Sequence, residues 1–117
     1  MALKKMVVQF GMGTSIRSRN YTQAGARAIR DALWHHSLNV ADAFGFPRTA
    51  MVIDALVAVQ RPDLVDEAEL IKVFPYGQVS VRVVEGGLDV PKPSGDSISV
   101  IANAAITVSF DMEAAHD

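Results

Sequence analysis

The sequence predicts an α+β fold: a mixed four-stranded sheet in the order β-α-β-α-β-β, with two helices on one face. Three observations predict it. Residues 6–10, 78–85 and 99–110 alternate apolar and polar side chains with the period of a strand. Residues 51–59 form a long apolar run interrupted only by Asp54. Two capping boxes, Asn20-Tyr21-Thr22-Gln23 and Asp66-Glu67-Ala68-Glu69, open helical patterns between these segments.

Taken in order, Met6-Val7-Val8-Gln9-Phe10 is the first strand, with Met6, Val8 and Phe10 on one face and Val7 and Gln9 on the other. Gly11 and Gly13 end it. The helix that follows Asn20 is alanine-rich and decays near Ser37, with Ala26, Ile29, Ala32 or Leu33, and His36 on one stripe. Residues 38–46 form a loop or a short turn of helix, closed by Gly45 and Pro47. The run from Met51 to Val59 reads as a central strand buried on both faces. Arg61-Pro62 ends it, and the second, short helix runs from Asp66 to Val73, where Pro75 stops it. In Gln78–Glu85, Val79, Val81 and Val83 point inward and Ser80 and Arg82 outward. Gly86-Gly87 signals a hairpin or bulge. Residues 88–97 are a loop fronted by a short strand, and Ser99–Phe110 is the last strand. Residues 111–117 form a frayed tail.

The first crossover is expected to be right-handed and to give parallel neighbours. The last two strands are expected to pair antiparallel. Two helices cover one face of such a sheet, so the long apolar strands imply that a second copy covers the other face or the edges.

At 117 residues the chain is read as one domain spanning 1–117. Half the residues are apolar, which also points to a homo-oligomer. There is no cysteine, so disulfide, thiolate and Cys-ligated zinc chemistry are excluded. A net charge of −2 with dispersed charges leaves no nucleic-acid footprint. No apolar run approaches the roughly 20 residues of a membrane span. The expected compartment is the cytoplasm.

The candidate site is the segment from Gly11 to Arg19. Two glycines at a strand exit allow close approach of backbone N–H groups to a ligand. Thr14, Ser15, Arg17 and Arg19 add hydroxyl and guanidinium donors, the chemistry of a small-anion pocket. The alternative is a tight turn that needs glycine and nothing more. A dinucleotide fingerprint requires a glycine at position 16, where Ile16 stands, and a P-loop requires Gly-Lys-Ser/Thr.

Asp54, inside an apolar strand, reads either as an ion-paired or strand-end carboxylate or as a general acid or base. Asn103 interrupts an apolar strand, and either bonds a neighbouring loop or orients a ligand carbonyl or carboxylate. Arg82 pairs with Asp54 or Glu85, or binds an anion. Tyr76 reads as a packing residue. His35 and His36 diverge by about 100° on a helix and cannot share one metal. No metal and no cofactor are implied.

The segments Gly11-Met12-Gly13, Asp31–Leu38, Val73–Val79 with its Phe-Pro-Tyr-Gly, Gly86-Gly87-Leu88 and Ile101–Val108 with its Ile-Ala-Asn-Ala-Ala resemble a small bacterial and plant family of conserved hypothetical proteins. The pattern of that family near its N-terminus is Gly-x-Gly-x-Asp-x-His-Gly. Here Ser15, Arg17 and Ser18 stand where Asp, His and Gly would be. The resemblance implies a branch in which an acid/base or metal pair became an anion-binding Ser/Arg pair, and it brings no reaction with it. The fold is similar in outline to chorismate-mutase-like or YjgF-like trimers, a comparison at fold level alone. Two functions follow: a small metabolic enzyme binding a small carboxylate or cyclic amide between subunits, or a non-catalytic homo-oligomeric binding or accessory module.

Overall fold

A computed structural model describes residues 3–16, 19–34 and 45–111. Arg17, Ser18, His35, His36, most of the loop 38–46 and residues 112–117 lie outside the described residues. The strands are β1 (Leu3–Ser15), β2 (Val52–Val59), β3 (Gln78–Glu85), β4 (Leu88–Pro91) and β5 (Ile98–Asp111). The helices are α1 (Tyr21–Leu33) and α2 (Glu67–Ile71), with short 3-10 turns at Arg48–Ala50 and Pro62–Leu64. The fold is mixed α+β, and the sheet has five strands rather than four. Among the described residues no helix is long and apolar enough to cross a membrane.

Both N-caps form, but neither capping box closes: the Asn20 N–H donates to Ser15 Oγ and the Asp66 N–H to Thr22 Oγ1. Asn20 accepts from the Gln23 N–H at 2.9 Å, and Asp66 accepts from the Ala68 N–H at 3.1 Å, satisfying orphan donors of each first turn. The buried stripe of α1 is Tyr21, Ala24, Gly25, Ala28, Ile29 and Ala32, turned from the stripe predicted through Ala26. Smaller side chains won the buried positions because the helix lies unusually close to the sheet.

Strand order is β1-β5-β2-β3, with β4 beside the N-terminal half of β5. β5 is antiparallel to β1, β2 and β4, and β2 is parallel to β3. Two expectations fail here. β1 and β2 are not neighbours, because β5 inserts between them. β3 does not pair with β5; the antiparallel hairpin is β4–β5, closed by Lys92 N–H to Ser97 O at 2.9 Å. Gly86-Gly87 is therefore no hairpin turn. It carries the chain past the end of β2, where the Gly86 N–H donates to Val59 O. Gly87 sits at φ +63° with the Ile101 carbonyl against its Cα, a left-handed position that glycine adopts without strain. Gln60 pins this turn by donating to Gly86 O and Gly87 O.

The helices cover one face. Beneath them lie Val100, Ala102, Ala104, Ile106, Val108 and Phe110 of β5 and Ile53, Ala55, Val57 and Val59 of β2, all buried. Ile29 of α1 and Leu70 of α2 close the core, each contributing about 1.5–3 kcal/mol by burial. Phe46 stacks on Phe110 at 4.5 Å. β2 is thus buried on one face rather than both, and Asp54 is exposed on the other. β1 runs on through the glycines to Ser15 instead of ending at Gly11. A register shift between Lys5 and Val7 explains why Met6 and Val7 both pack on the core while Val8 and Phe10 face outward. Asp111 belongs to β5 rather than to a tail.

Candidate functional site

The helix-covered side of β1 places the two glycines. Gly11 lies opposite Ala104 and Gly13 opposite Ala102, and α1 crosses directly over them. A Cβ at Gly11 would fall 2.2 Å from the Ala28 carbonyl oxygen, and one at Gly13 would fall 2.3 Å from Ala24 O and Ala28 N. The space beside both glycines is filled by helix backbone.

Of the other donors of the segment, Ser15 has its partners in the turn into α1. The buried Ser15 hydroxyl accepts from the Asn20 N–H at 3.1 Å and donates to Gln23 Oε1 at 3.4 Å. The Thr14 carbonyl accepts from Arg27 Nη1 at 2.7 Å. Arg19 is exposed and holds φ +46° just before the cap. Arg17 lies outside the described residues. Asn103 lies opposite Met12 and Ala58, on the uncovered face. The structure therefore puts Asn103 and the glycines on opposite sides of the sheet.

Tyr21 and Asp89 meet on the covered side. The phenol donates to Asp89 Oδ2 at 2.5 Å. Burial, with this hydrogen bond and the carboxylate charge, raises the Tyr21 pKa, partly opposed by Arg19 and Arg61. The other oxygen, Oδ1, is buried and has no partner among the described residues. Asp89 stands beside the first turn of α1, which contains no acidic residue of its own, where a negative charge is favoured. No spacing rule links residues 21 and 89, so sequence reading had no signal for this pair.

The uncovered face is a grid. Its rows across β1, β5, β2 and β3 read Val8–Thr107–Asp54–Ser80, Phe10–Ala105–Leu56–Arg82 and Met12–Asn103–Ala58–Val84. Beyond them, Thr14, Ile101 and Leu88 form the next row. Ala105, small and central, leaves a depression of about 500 Å³ lined by Lys5, Asp54, Leu56, Ser80, Arg82 and Thr107. Asp54 stands at its middle, with Lys5 reaching in from β1 and Arg82 from β3. None of these three makes a side-chain hydrogen bond or ion pair with a described residue, so Arg82 pairs with neither Asp54 nor Glu85. Asn103 is four residues along β5 from Thr107, roughly 13 Å away. It shares the face with Asp54 but not the depression. Period-2 alternation could have aligned Asp54 with Ser80 and Arg82, but Lys5 and Thr107 join them only through the register. Among the described residues no group of three or more His, Asp or Glu is placed to hold a metal ion.

Tyr76 is partly buried against the core, as a packing residue. The chain is similar to a crystal structure of an FtsZ-like protein of unknown function from Nostoc punctiforme, with TM-score 0.84 and 34% identity. The similarity covers 95% of this chain and 98% of that one. No curated protein matches. Residues 5–108 match the family described as Conserved hypothetical protein (Lin0512_fam). With that match over most of its length, the chain belongs to the Lin0512 family of conserved hypothetical proteins.

Proposed function

We propose that the protein is a small-molecule-binding module that works as an oligomer of identical copies, and that it takes a small carboxylate or a cyclic amide in the depression over Ala105. One observation carries this reading. Asp54, Lys5 and Arg82 are gathered, without partners among the described residues, on a face whose other exposed side chains are largely apolar. Lys5 and Arg82 supply charge-assisted donors for a carboxylate. Asp54 between them accepts from an amide N–H. Thr107 and Ser80 add hydroxyls that donate or accept.

This moves the anion site from the Gly11–Arg19 segment to the opposite side of the sheet. The module is favoured over the enzyme because a general base is set up by burial and charged neighbours, whereas Asp54 is exposed to solvent. The test is a thermal-shift and calorimetric screen of the wild type against small carboxylates, phosphates and cyclic amides. A ligand at about 100 times its Kd is expected to add roughly 2.7 kcal/mol of stability. The response should fall by about half or more in Arg82→Ala. A flat response across the panel sinks the reading.

A further inference from the structure

We propose that the uncovered sheet face is the docking surface for a second copy of this chain, packed face to face about a two-fold axis through the rows of Phe10 and Met12. The inference rests on the oligomer part of the functional reading and assigns its surface.

Three observations select the occupant. The first is the distribution of side chains. Phe10 is 69% exposed, Leu88 59%, Met12 55%, Val8 44% and Val90 42%, and Ile101 lies among them in the grid. Of the charged groups, Lys5 lies at the far end of β1, and Asp54 and Arg82 lie on the β2–β3 side of the rows of Val8 and Phe10. Band packed on band would bury the apolar part and leave the charged depression at the rim, the arrangement of a protein interface. The depression would then adjoin the contact, so that a ligand in it lies between the two copies, since Ala105 lies directly opposite Phe10.

The second is size. β1 and β5 run roughly 45 Å and β2 and β3 roughly 27 Å, at a strand spacing of about 4.8 Å. The whole face, the depression included, therefore presents a projected area of roughly 700 Å², just under the ~800 Å² per partner of a standard stable interface. Two twisted sheets pack in this way at a separation of about 10 Å.

The third is that the C-terminal part of the long β1 edge is blocked to strand addition. Asp31 accepts from the Met12 N–H at 2.9 Å and Arg27 donates to the Thr14 carbonyl at 2.7 Å. These two side chains, one helical turn apart on α1, occupy edge groups of β1 that a pairing strand would need.

The experiment compares the wild type with Phe10→Asp and Met12→Asp by light scattering coupled to size exclusion, with circular dichroism as a check on folding. The wild type is expected to be dimeric, and each variant to be folded with its dimer weakened roughly 30-fold or more, as for an interface hot spot. Hydroxyl-radical footprinting of the wild type supplies a readout that needs no variant: Phe10 and Met12 should be protected at high concentration and become reactive on dilution. A wild type that stays monomeric up to millimolar concentration overturns the proposal. So does an oligomer in which Phe10 and Met12 remain fully reactive or both variants assemble normally. In that last case the interface lies elsewhere and the binding reading stands. A dimer that answers to no carboxylate or amide removes the binding reading and leaves the docking surface.

Discussion

The Tyr21 hydroxyl donates to Asp89 Oδ2 across 68 positions of sequence, tying the first turn of α1 to the short strand β4. Burial and the carboxylate hold the phenol protonated above its ordinary value near 10. A group whose folded pKa is raised contributes stability that is complete below the unfolded value and lost as pH climbs through the folded one. Stability should therefore fall in alkali, from about pH 10 upward. Tyr21→Phe is expected to cost about 1–3 kcal/mol at neutral pH, because it strips the carboxylate of its donor, and to flatten the alkaline decline. Denaturant midpoints at pH 7 to 11 measure both; an unchanged alkaline slope in the variant would assign that decline to other groups.

Gly13 is expected to resist any side chain. Gly13→Ala drives a methyl into the Ala24 carbonyl and the Ala28 nitrogen, so α1 must lift from the sheet. The expected loss is at least about 3 kcal/mol, the upper range for overpacking. Gly25→Ala is the contrast. Its Cβ meets only side-chain atoms, Val57 Cγ1 at 3.3 Å and Leu70 methyls beyond, and it gains helix propensity, so a change within about 1 kcal/mol is expected. Equal effects in urea unfolding would contradict the close helix–sheet contact.

The edge lock predicts a solubility phenotype. The double variant Arg27→Ala, Asp31→Ala frees the Met12 N–H and the Thr14 carbonyl at the β1 edge. Folding stability should drop by about 1–2 kcal/mol, since both bonds are solvent-exposed. Light scattering on mild heating should rise well before global unfolding, as an unprotected edge recruits other strands. Normal turbidity would show that the lock has no protective role.

Charge substitutions in the depression should separate ligand classes. Arg82→Ala is expected to weaken carboxylate binding about tenfold or more, with stability changed by less than about 0.5 kcal/mol because the side chain is exposed. Asp54→Asn removes the negative charge between Lys5 and Arg82. It should tighten binding of small anions and weaken binding of cyclic amides. Titration calorimetry on both variants reads this crossing pattern, and parallel losses would mean that Asp54 does not face the ligand.

Much of the local structure was legible in the residues. Asn20 and Asp66 were recognisable as caps because a short polar side chain followed by Gln or Glu three residues later satisfies first-turn donors whatever the surroundings. The faces of β3 and β5 were legible because side-chain direction in a strand has period two. The two-face burial expected of β2 fails because an apolar run announces a central strand but does not say whether a second layer covers its far face.

The candidate site was less legible than the elements. Gly11 and Gly13 read as an opening for a ligand, and the opening is filled by α1. A glycine pair signals close approach of another backbone but does not identify it. The helix supplies the complementary signal, since Ala24, Ala28 and Ala32 recur every four residues. Asn103 and the glycines face opposite sides of the sheet, separated by a single step of the pleat.

The residues alone determine the α+β class, both helix starts and the inward sides of β3 and β5. These follow from interactions within a few residues. Only the tertiary structure decided that β5 inserts between β1 and β2, that α1 rests on Gly11 and Gly13, and that Lys5, Asp54 and Arg82 share one depression. Register and strand order are set by contacts between distant segments, and local periodicity is compatible with many pairings.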